Sequence, residues 1–408
     1  MKIQYPYDII IGNLRVKHAD NRQKISHFQG GYIMYKLSGK IDTTNAPELE
    51  ASLTKELPSE IDASELEYIS SAGLRALLKL RKSVGGVTVH NVTPDVYEIF
   101  EVTGFTEILN VKKALREISI EGCEIIGEGG YGSVYRLDDE SIVKVYRSAS
   151  LEFIDKEREL SKKAFLLGIP TAIPFDTVKV GDSYGVIYEM LEAKTVAQLI
   201  SEDPSSLKQL GQLSAVALKK LHDIEADNGD FPNKKKTLTK WVMSISEYIE
   251  PEETNAILNY IFSIPNRYTF LHGDYNSKNV MVKDDEVLLI DIGDAAVGHP
   301  AFDIASLMLP YLLLPNATEP KRVRSLLGFD PALAQDMWGV MCGTYFMTGE
   351  ADEINRIADM LMPLAFLLMT YHSFHYGVHD EDAIKERVER LIRGRLLPAI
   401  KHAKKIDF

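Results

Sequence analysis

The sequence predicts a small α/β domain followed by a larger α+β unit in two parts. Three observations carry that reading. Over residues 1–118, short β-branched runs alternate with segments of helical spacing, the pattern of helices packed on a sheet. Over residues 119–192, strand-like runs dominate and are joined through a glycine-rich stretch. Over residues 193–408, apolar residues recur mostly at helical spacing. A chain of 408 residues also exceeds one ordinary core, so more than one domain is expected.

Bulk composition narrows the function. A net charge of −13 argues against nucleic acid or an anionic membrane as the main partner. Cys123 and Cys342 are the two cysteines, far apart in sequence, which fits reduced, unpaired thiols. Met1–Asp8 shows no basic stretch leading into an apolar core. The apolar runs Ile304–Leu314 and Met360–Met369 are interrupted by Pro310 and Pro363 and fall short of the roughly 20 residues of a spanning helix. They read as core helices, and the expectation is a cytoplasmic protein.

In the first domain, residues 1–25 are hard to place beyond a strand-like Tyr7–Asn13. Tyr32–Leu37 reads as a strand and Ser38–Thr44 as a turn. Asp42 or a neighbouring threonine is the candidate cap for a helix over Ala46–Glu56. Glu60–Ala63 reads as a short strand. Leu74, Leu77, Leu78 and Val84 then recur at helical spacing, so Ser70, Ser71 and Gly73 sit where a strand gives way to a helix. A strand over Val87–Asn91 and a helix over Pro94–Val102 follow.

Ser38-Gly-Lys-Ile-Asp-Thr-Thr-Asn-Ala-Pro-Glu-Leu49, Tyr68-Ile-Ser-Ser-Ala-Gly-Leu74 and Val102-Thr-Gly-Phe105 together resemble a STAS domain of the anti-sigma-factor-antagonist type, over residues 26–116. The resemblance implies a protein partner and places the family's phosphoacceptor serine at Ser71. Ser70 stands where that family often has aspartate. Read from its position alone, Ser71 is a helix N-cap. A phosphate there would lie against free helix N–H groups.

In the second unit, strand-like Ile125-Ile126 leads into Gly127-Glu-Gly129-Gly130-Tyr-Gly132-Ser-Val134. A dinucleotide-binding turn would pass into a helix; here Ser133–Leu137 is strand-like. Strand, glycine loop, strand is the kinase arrangement, in which backbone amides lie over nucleotide phosphates. Lys144 sits within the apolar strand Ser141–Tyr146. The helix Leu151–Leu167 offers Glu152, Glu157 and Glu159 as partners, with Glu157 preferred and Glu159 next. Val186–Leu191 reads as a strand running into a hinge, where the backbone of Glu189–Leu191 would face an adenine edge.

The site's centre is Phe270–Val282 with Leu288–Asp294. Asp274 sits at a loop tip, placed to take a proton from a hydroxyl. Asn279 and Asp291 offer hard oxygen ligands suited to Mg2+. Lys278 is either a stabiliser of the transferring phosphoryl group or a surface lysine. Val280–Val282 and Val287–Ile290 form a predicted hairpin. Asp303 reads as a brace for the catalytic loop. Ser205–His222, Lys240–Ile249 and Glu252–Phe262 are predicted helices, with Leu213, Val216, Leu218 and Leu221 in the core and Gly229–Lys236 as a solvated loop. His372, His375 and His379 recur at helical spacing and read as ordinary core or surface residues, not a metal face.

Gly127–Val134, Lys144, Glu157, His272-Gly-Asp274, Asn279, Ile290-Asp291 and Gly298-His-Pro-Ala-Phe-Asp303 together resemble the aminoglycoside phosphotransferase and choline kinase branch of the protein-kinase-like fold, over residues 120–400. The fold class implied is an α/β STAS domain followed by an α+β bilobal protein-kinase-like fold. The resemblance implies ATP and Mg2+ as cofactors. Asp274 would be base, Asn279 and Asp291 metal ligands, and Lys144, held by Glu157, a phosphate contact. Gly273 replaces the arginine of protein kinases, and the run from Asp291 to Pro300 is short. Both point to a small hydroxyl acceptor and to activity without loop phosphorylation. The alternatives are a signalling protein kinase acting on a STAS serine in cis or trans, and a nucleotide-binding regulatory module without turnover.

Overall fold

The computed structural model describes residues 28–29, 32–129, 132–147, 149–315, 320–375 and 380–408. Tyr7–Asn13, Gly130 and His379, singled out above, lie outside them. The chain divides into two compact units, Met1–Arg116 and Glu117–Phe408.

In the first unit, β1 (Tyr35–Ile41), β2 (Glu60–Ile69), β3 (Thr88–Val92) and β4 (Asn110–Lys113) lie side by side in that order, each pair parallel. Helices α1 (Ala46–Glu56), α2 (Ser71–Val84) and α3 (Pro94–Val102) make the connections. Leu37, Ile61, Leu66, Leu77, Val89 and Phe100 form the core between them. Two elements run longer than their sequence suggests. Ser38–Ile41 is not a turn: Gly39 takes φ +68° at a register shift and the pairing with β2 resumes beyond it. The strand predicted as Glu60–Ala63 continues to Ile69.

Asp42 does not cap α1. Its carboxylate accepts from the Thr44 amide and hydroxyl at 2.7 and 2.5 Å, an Asx turn ahead of the helix, and Asn45 stands at the N-cap. At α2 the cap is Ser70, whose Oγ accepts from Gly73 N–H at 3.4 Å. Ser71 is therefore the first helical residue and is exposed, while Ser70 is buried. Gly73 is forced: a Cβ there would come within 2.7 Å of Ile41 and 2.8 Å of Ile69. Ser70→Ala is expected to lower stability by about 1 kcal/mol and Ser71→Ala by much less, measured by urea unfolding.

In the second unit, β5 (Ile125–Glu128), β6 (Gly132–Arg136), β7 (Ser141–Tyr146), β8 (Pro174–Val180) and β9 (Ser183–Glu189) are antiparallel neighbours in the order β8-β9-β7-β6-β5. Helix α4 (Leu151–Leu166) packs on this sheet through Ile154 and Glu157. The rest is mostly helical: α5 (Leu207–His222), α6 (Lys234–Ser244), α7 (Pro251–Ser263), α8 (Ala301–Met308), α9 (Ala334–Phe346) and α10 (Ala351–His375). Leu218, Phe270, Phe302, Ile304, Tyr311, Met337 and Leu361 lie in its core. Val216, expected there, is 45% exposed.

Two predictions on this unit are corrected. The lysine run is not a solvated loop. Asn233 caps α6 by accepting from Lys236 N–H at 3.1 Å, so the helix opens at Lys234, which is buried. Its neighbour Lys235 donates to the Ile264 carbonyl at 2.6 Å, beyond the end of α7. Pro363 does not break its helix either. It lies inside α10, whose Ala351–Phe374 stretch is long and apolar enough to cross a membrane, but half of its most apolar window is buried within the unit. Leu361, Leu364, Ala365 and Leu368 are core residues there.

Candidate active site

The loop that carries Asp274 hangs between β10 (Thr269–Leu271) and β11 (Val280–Lys283), the second of which pairs with β12 (Glu286–Leu289) as the predicted hairpin. Asp303, on α8, fixes its backbone. One carboxylate oxygen accepts from His272 N–H at 2.8 Å and the other from Gly273 N–H at 2.9 Å. Burial would raise this carboxyl, but hydrogen bonds from His222 and Gly273 hold it below its usual value. Asp303 thus braces the loop and does not face the cleft.

The brace has a second layer that local sequence signals do not carry. His222 Nε2 lies 3.2 Å from Asp303 Oδ2, and His222 Nδ1 lies 2.8 Å from the Tyr345 hydroxyl. The carboxylate can only accept, so His222 Nε2–H is the donor of that bond. These contacts span 81 and 123 residues, beyond the reach of any spacing rule. Tyr345→Phe is expected to lower kcat for ATP turnover several-fold with little change in KM for ATP. Steady-state kinetics check it.

Gly273 is required by space. It takes φ +86°, and a Cβ would fall 2.1 Å from the Asp294 carbonyl oxygen. An arginine in this position has no room. His272 is buried, which lowers its pKa and keeps the ring neutral. Asp274 N–H donates to His272 Nδ1 at 3.3 Å, so Nε2 carries the proton and donates to the Ile290 carbonyl at 3.1 Å.

Asn279 Nδ2 donates to Asp274 Oδ2 and to the Asp274 carbonyl, both at 2.9 Å. Asn276 Nδ2 reaches Asp274 Oδ1 at 3.2 Å. The cleft environment, then the like charges of Asp291 and Asp294, push Asp274 up to about 7 against the pull of these two amides. The Asp274 side chain keeps solvent-accessible surface, so water moderates that shift.

Asp291 follows β12 in the left-handed region, at φ 62°. Lys144 Nζ bridges it to Glu157, 2.7 Å from Asp291 Oδ1 and 2.7 Å from Glu157 Oε1. Burial works against the Asp291 charge, but Lys144 holds its carboxyl below the usual value. Lys144 is raised in turn by the two carboxylates, against its own desolvation. Glu157, the preferred partner, is the one brought to Lys144; Glu159 pairs with Arg158 at 2.8 Å. Two contacts here had no sequence signal. Tyr146 O–H donates to Glu157 Oε1 at 2.8 Å, and Gly293 lies so close that a Cβ would meet Glu157 Cγ at 2.6 Å. Gly293→Ala is expected to push Glu157 off Lys144 and weaken ATP binding roughly ten-fold by calorimetry, a loss of one charge-assisted hydrogen bond.

The glycine stretch joins the paired strands β5 and β6. Gly127 pairs with Val134, Val134 with Lys144, and Gly129 N–H donates to the Gly132 carbonyl at 2.9 Å. Gly132 admits no side chain, since a Cβ would sit 2.0 Å from the Val145 carbonyl oxygen. At the hinge, Glu189 N–H donates to Ile173 O and Met190 N–H to Glu140 O. Leu191 O accepts from Ala193 N–H. Lys278 stands apart from the constellation, with its Nζ 3.5 Å from the Ser325 carbonyl.

Residues 122–329 match the phosphotransferase enzyme family and residues 23–118 match the STAS domain family. The chain belongs to the phosphotransferase enzyme family and carries an N-terminal STAS domain. The STAS region is 36% identical over 90 residues to a putative anti-sigma factor antagonist, BtrV, of Bordetella bronchiseptica, covering 20% of this chain and 78% of that protein. Among solved structures, the phosphotransferase is similar to an ADP-bound aminoglycoside phosphotransferase, APH(2'')-Ib, at TM-score 0.45 and 19% identity, covering 74% of this chain and 98% of that one. It is also similar to a choline/ethanolamine kinase family protein from Mesorhizobium loti at TM-score 0.40 and 15% identity, covering 69% and 92%.

Proposed function

We propose that this phosphotransferase moves the γ-phosphoryl group of ATP to the hydroxyl of a small molecule. In the step proposed, the bond between the γ-phosphorus and the bridging oxygen breaks and a bond from phosphorus to the acceptor oxygen forms. ADP leaves, and the hydroxyl proton passes to Asp274. The observation that carries this reading is Asp274 itself, solvent-accessible, held by Asn276 and Asn279, with its carboxyl brought to about 7. A base near neutrality can both take and release a proton at working pH.

The donor set suits one Mg2+ bound together with a nucleotide. Asn279 uses its Nδ2 on Asp274, which leaves Oδ1 for a cation, and Asp291 has a second carboxylate oxygen beyond the one on Lys144. Mg2+ takes few protein ligands beside phosphates and water, so one amide oxygen and one carboxylate fit it. The ion would neutralise phosphate charge. Lys144 would contact the α/β-phosphates, held by Glu157, under the backbone of Gly127, Gly129, Gly130 and Gly132, with Val134 beneath. The Glu189 carbonyl and the Leu191 amide are the hinge groups proposed for adenine.

ADP formation from ATP by wild type, Asp274→Ala and Asp291→Ala tests the reading. Unchanged turnover in both variants removes it. A second reading, phosphorylation of the chain's own STAS serine, is favoured by one observation: Ser71 is exposed at the first position of α2. Mass mapping after incubation with ATP decides it, since an unlabelled Ser71 counts against it.

A further inference from the structure

The inference below rests on the phosphotransferase reading and names a residue that sets the geometry of its proposed base and cation ligand. In the Asp274 loop, successive residues alternate between cleft and interior. Asp274 is exposed and Asn276 half-buried, while Gly273, Tyr275 and Ser277 are buried. Each buried one is tied to a helical element. Gly273 N–H donates to Asp303 on α8 at 2.9 Å, and Tyr275 O–H donates to the Ser214 carbonyl on α5 at 2.7 Å. Ser277 N–H donates to the Tyr311 hydroxyl at 3.0 Å.

Tyr311 is fully buried and stands on the same helical run as Asp303, eight residues further along. In an unbroken α-helix, eight residues overshoot two turns by roughly 80°, which would point the two side chains apart. Pro310 changes the run. It has no N–H to continue the α-helical ladder, and the chain passes into a π turn over Leu309–Leu313, closed by Leu314 N–H on the Leu309 carbonyl at 2.9 Å. A π turn advances less per residue than an α turn, which reduces the overshoot. Asp303 and Tyr311 both meet the same loop as a result. Burial, foremost, pushes the Tyr311 hydroxyl up to about 12, so it stays neutral at working pH.

Only Lys278 separates Ser277 from Asn279. Asn279 N–H donates to the Asn276 carbonyl at 3.0 Å, and its Nδ2 holds Asp274 Oδ2 at 2.9 Å. The place of Ser277 therefore bears on the spacing between the proposed base and the proposed cation ligand. We propose that Tyr311 is a positioning residue of the phosphotransferase. With Asp303 it staples the two ends of the loop from one helical run, and it sets where Asn279 stands against Asp274.

Steady-state ADP formation from ATP by the full chain, beside amide hydrogen exchange resolved to single residues, tests this with Tyr311→Phe. The variant keeps the ring and removes the acceptor of the Ser277 N–H, at a residue only 3% exposed. Its kcat is expected to fall roughly ten-fold, the scale of one buried donor left unpaired. The Mg2+ concentration for half-maximal turnover should rise, and KM for ATP should stay as in wild type. In wild type, the Ser277 amide should exchange as slowly as that of Gly273; in Tyr311→Phe, Ser277 should speed up and Gly273 should not. A Ser277 amide that exchanges freely in wild type would overturn the proposal. So would a variant whose Ser277 exchange, kcat or Mg2+ requirement matches wild type, the result expected of a tyrosine that only fills the core. The exchange measurement needs no turnover, so a wild type inert towards ATP would count against the phosphotransferase reading and leave the anchor to be judged by exchange.

Discussion

Asp274→Ala is expected to lower ATP turnover by roughly 10²–10⁴-fold, the contribution of a positioned general base. The loss should fall on kcat, because Asp274 is placed for the acceptor proton and the nucleotide is assigned to Lys144 and the glycine loop. The wild-type pH profile should carry the same signature. Asp274 must be ionised to accept a proton, and its carboxyl sits at about 7. Activity of the wild type should rise through that pH, and the rise should be missing from the residual activity of Asp274→Ala. The folding linkage runs the opposite way. A carboxyl whose folded pKa is raised favours the native state only while protonated. Its contribution is present at acid pH and is lost as pH climbs from the unfolded value towards 7. Asp274→Asn, inactive, should therefore melt higher than wild type above pH 7 and no higher near pH 4, measured by calorimetry without nucleotide.

Asp291→Ala carries the other large effect. Removal of this carboxylate takes away one of the two proposed cation ligands and one of the two partners of Lys144. Turnover is expected to fall by three orders of magnitude or so, the scale on which charge stabilisation in phosphoryl transfer is counted. The Mg2+ concentration for half-maximal turnover should rise in Asp291→Ala but not in Asp274→Ala. That difference separates loss of the cation site from loss of the base. Lys144 keeps Glu157, 2.7 Å away, so the strand and α4 should stay joined and the variant should remain folded.

The parts of this site legible in the sequence are those whose geometry is local. Asp274 and Asn279 are five residues apart on one loop, and a tight loop returns such a pair to one point; Asn279 Nδ2 does meet Asp274 Oδ2. Lys144 and Val134 sit in adjacent strands of a hairpin, so the glycine spacing sets their register. The missed parts are long-range or concern fit. His222 and Tyr345 reach Asp303 from distant helices. Gly293 carries no signal of its own, yet its lack of a side chain makes room for Glu157. The full length of β1 is not legible because Gly39 reads as a turn residue and here makes a bulge. The lysine run likewise reads as a loop and here opens a helix. Lysines suggest solvent, but Asn233 starts the helix six residues before the apolar periodicity does and draws Lys234 inside.

If Asp274, Asn279 and Asp291 form a phosphoryl-transfer site for ATP, one assay shows it. Its most direct measurement is ADP formation from ATP by the full chain, with and without Mg2+, beside Asp274→Ala and Asp291→Ala. Mg2+-dependent ADP formation by wild type and near-complete loss in both variants are expected. ADP formation at the wild-type rate in both variants, or a wild-type rate indifferent to Mg2+, would contradict it.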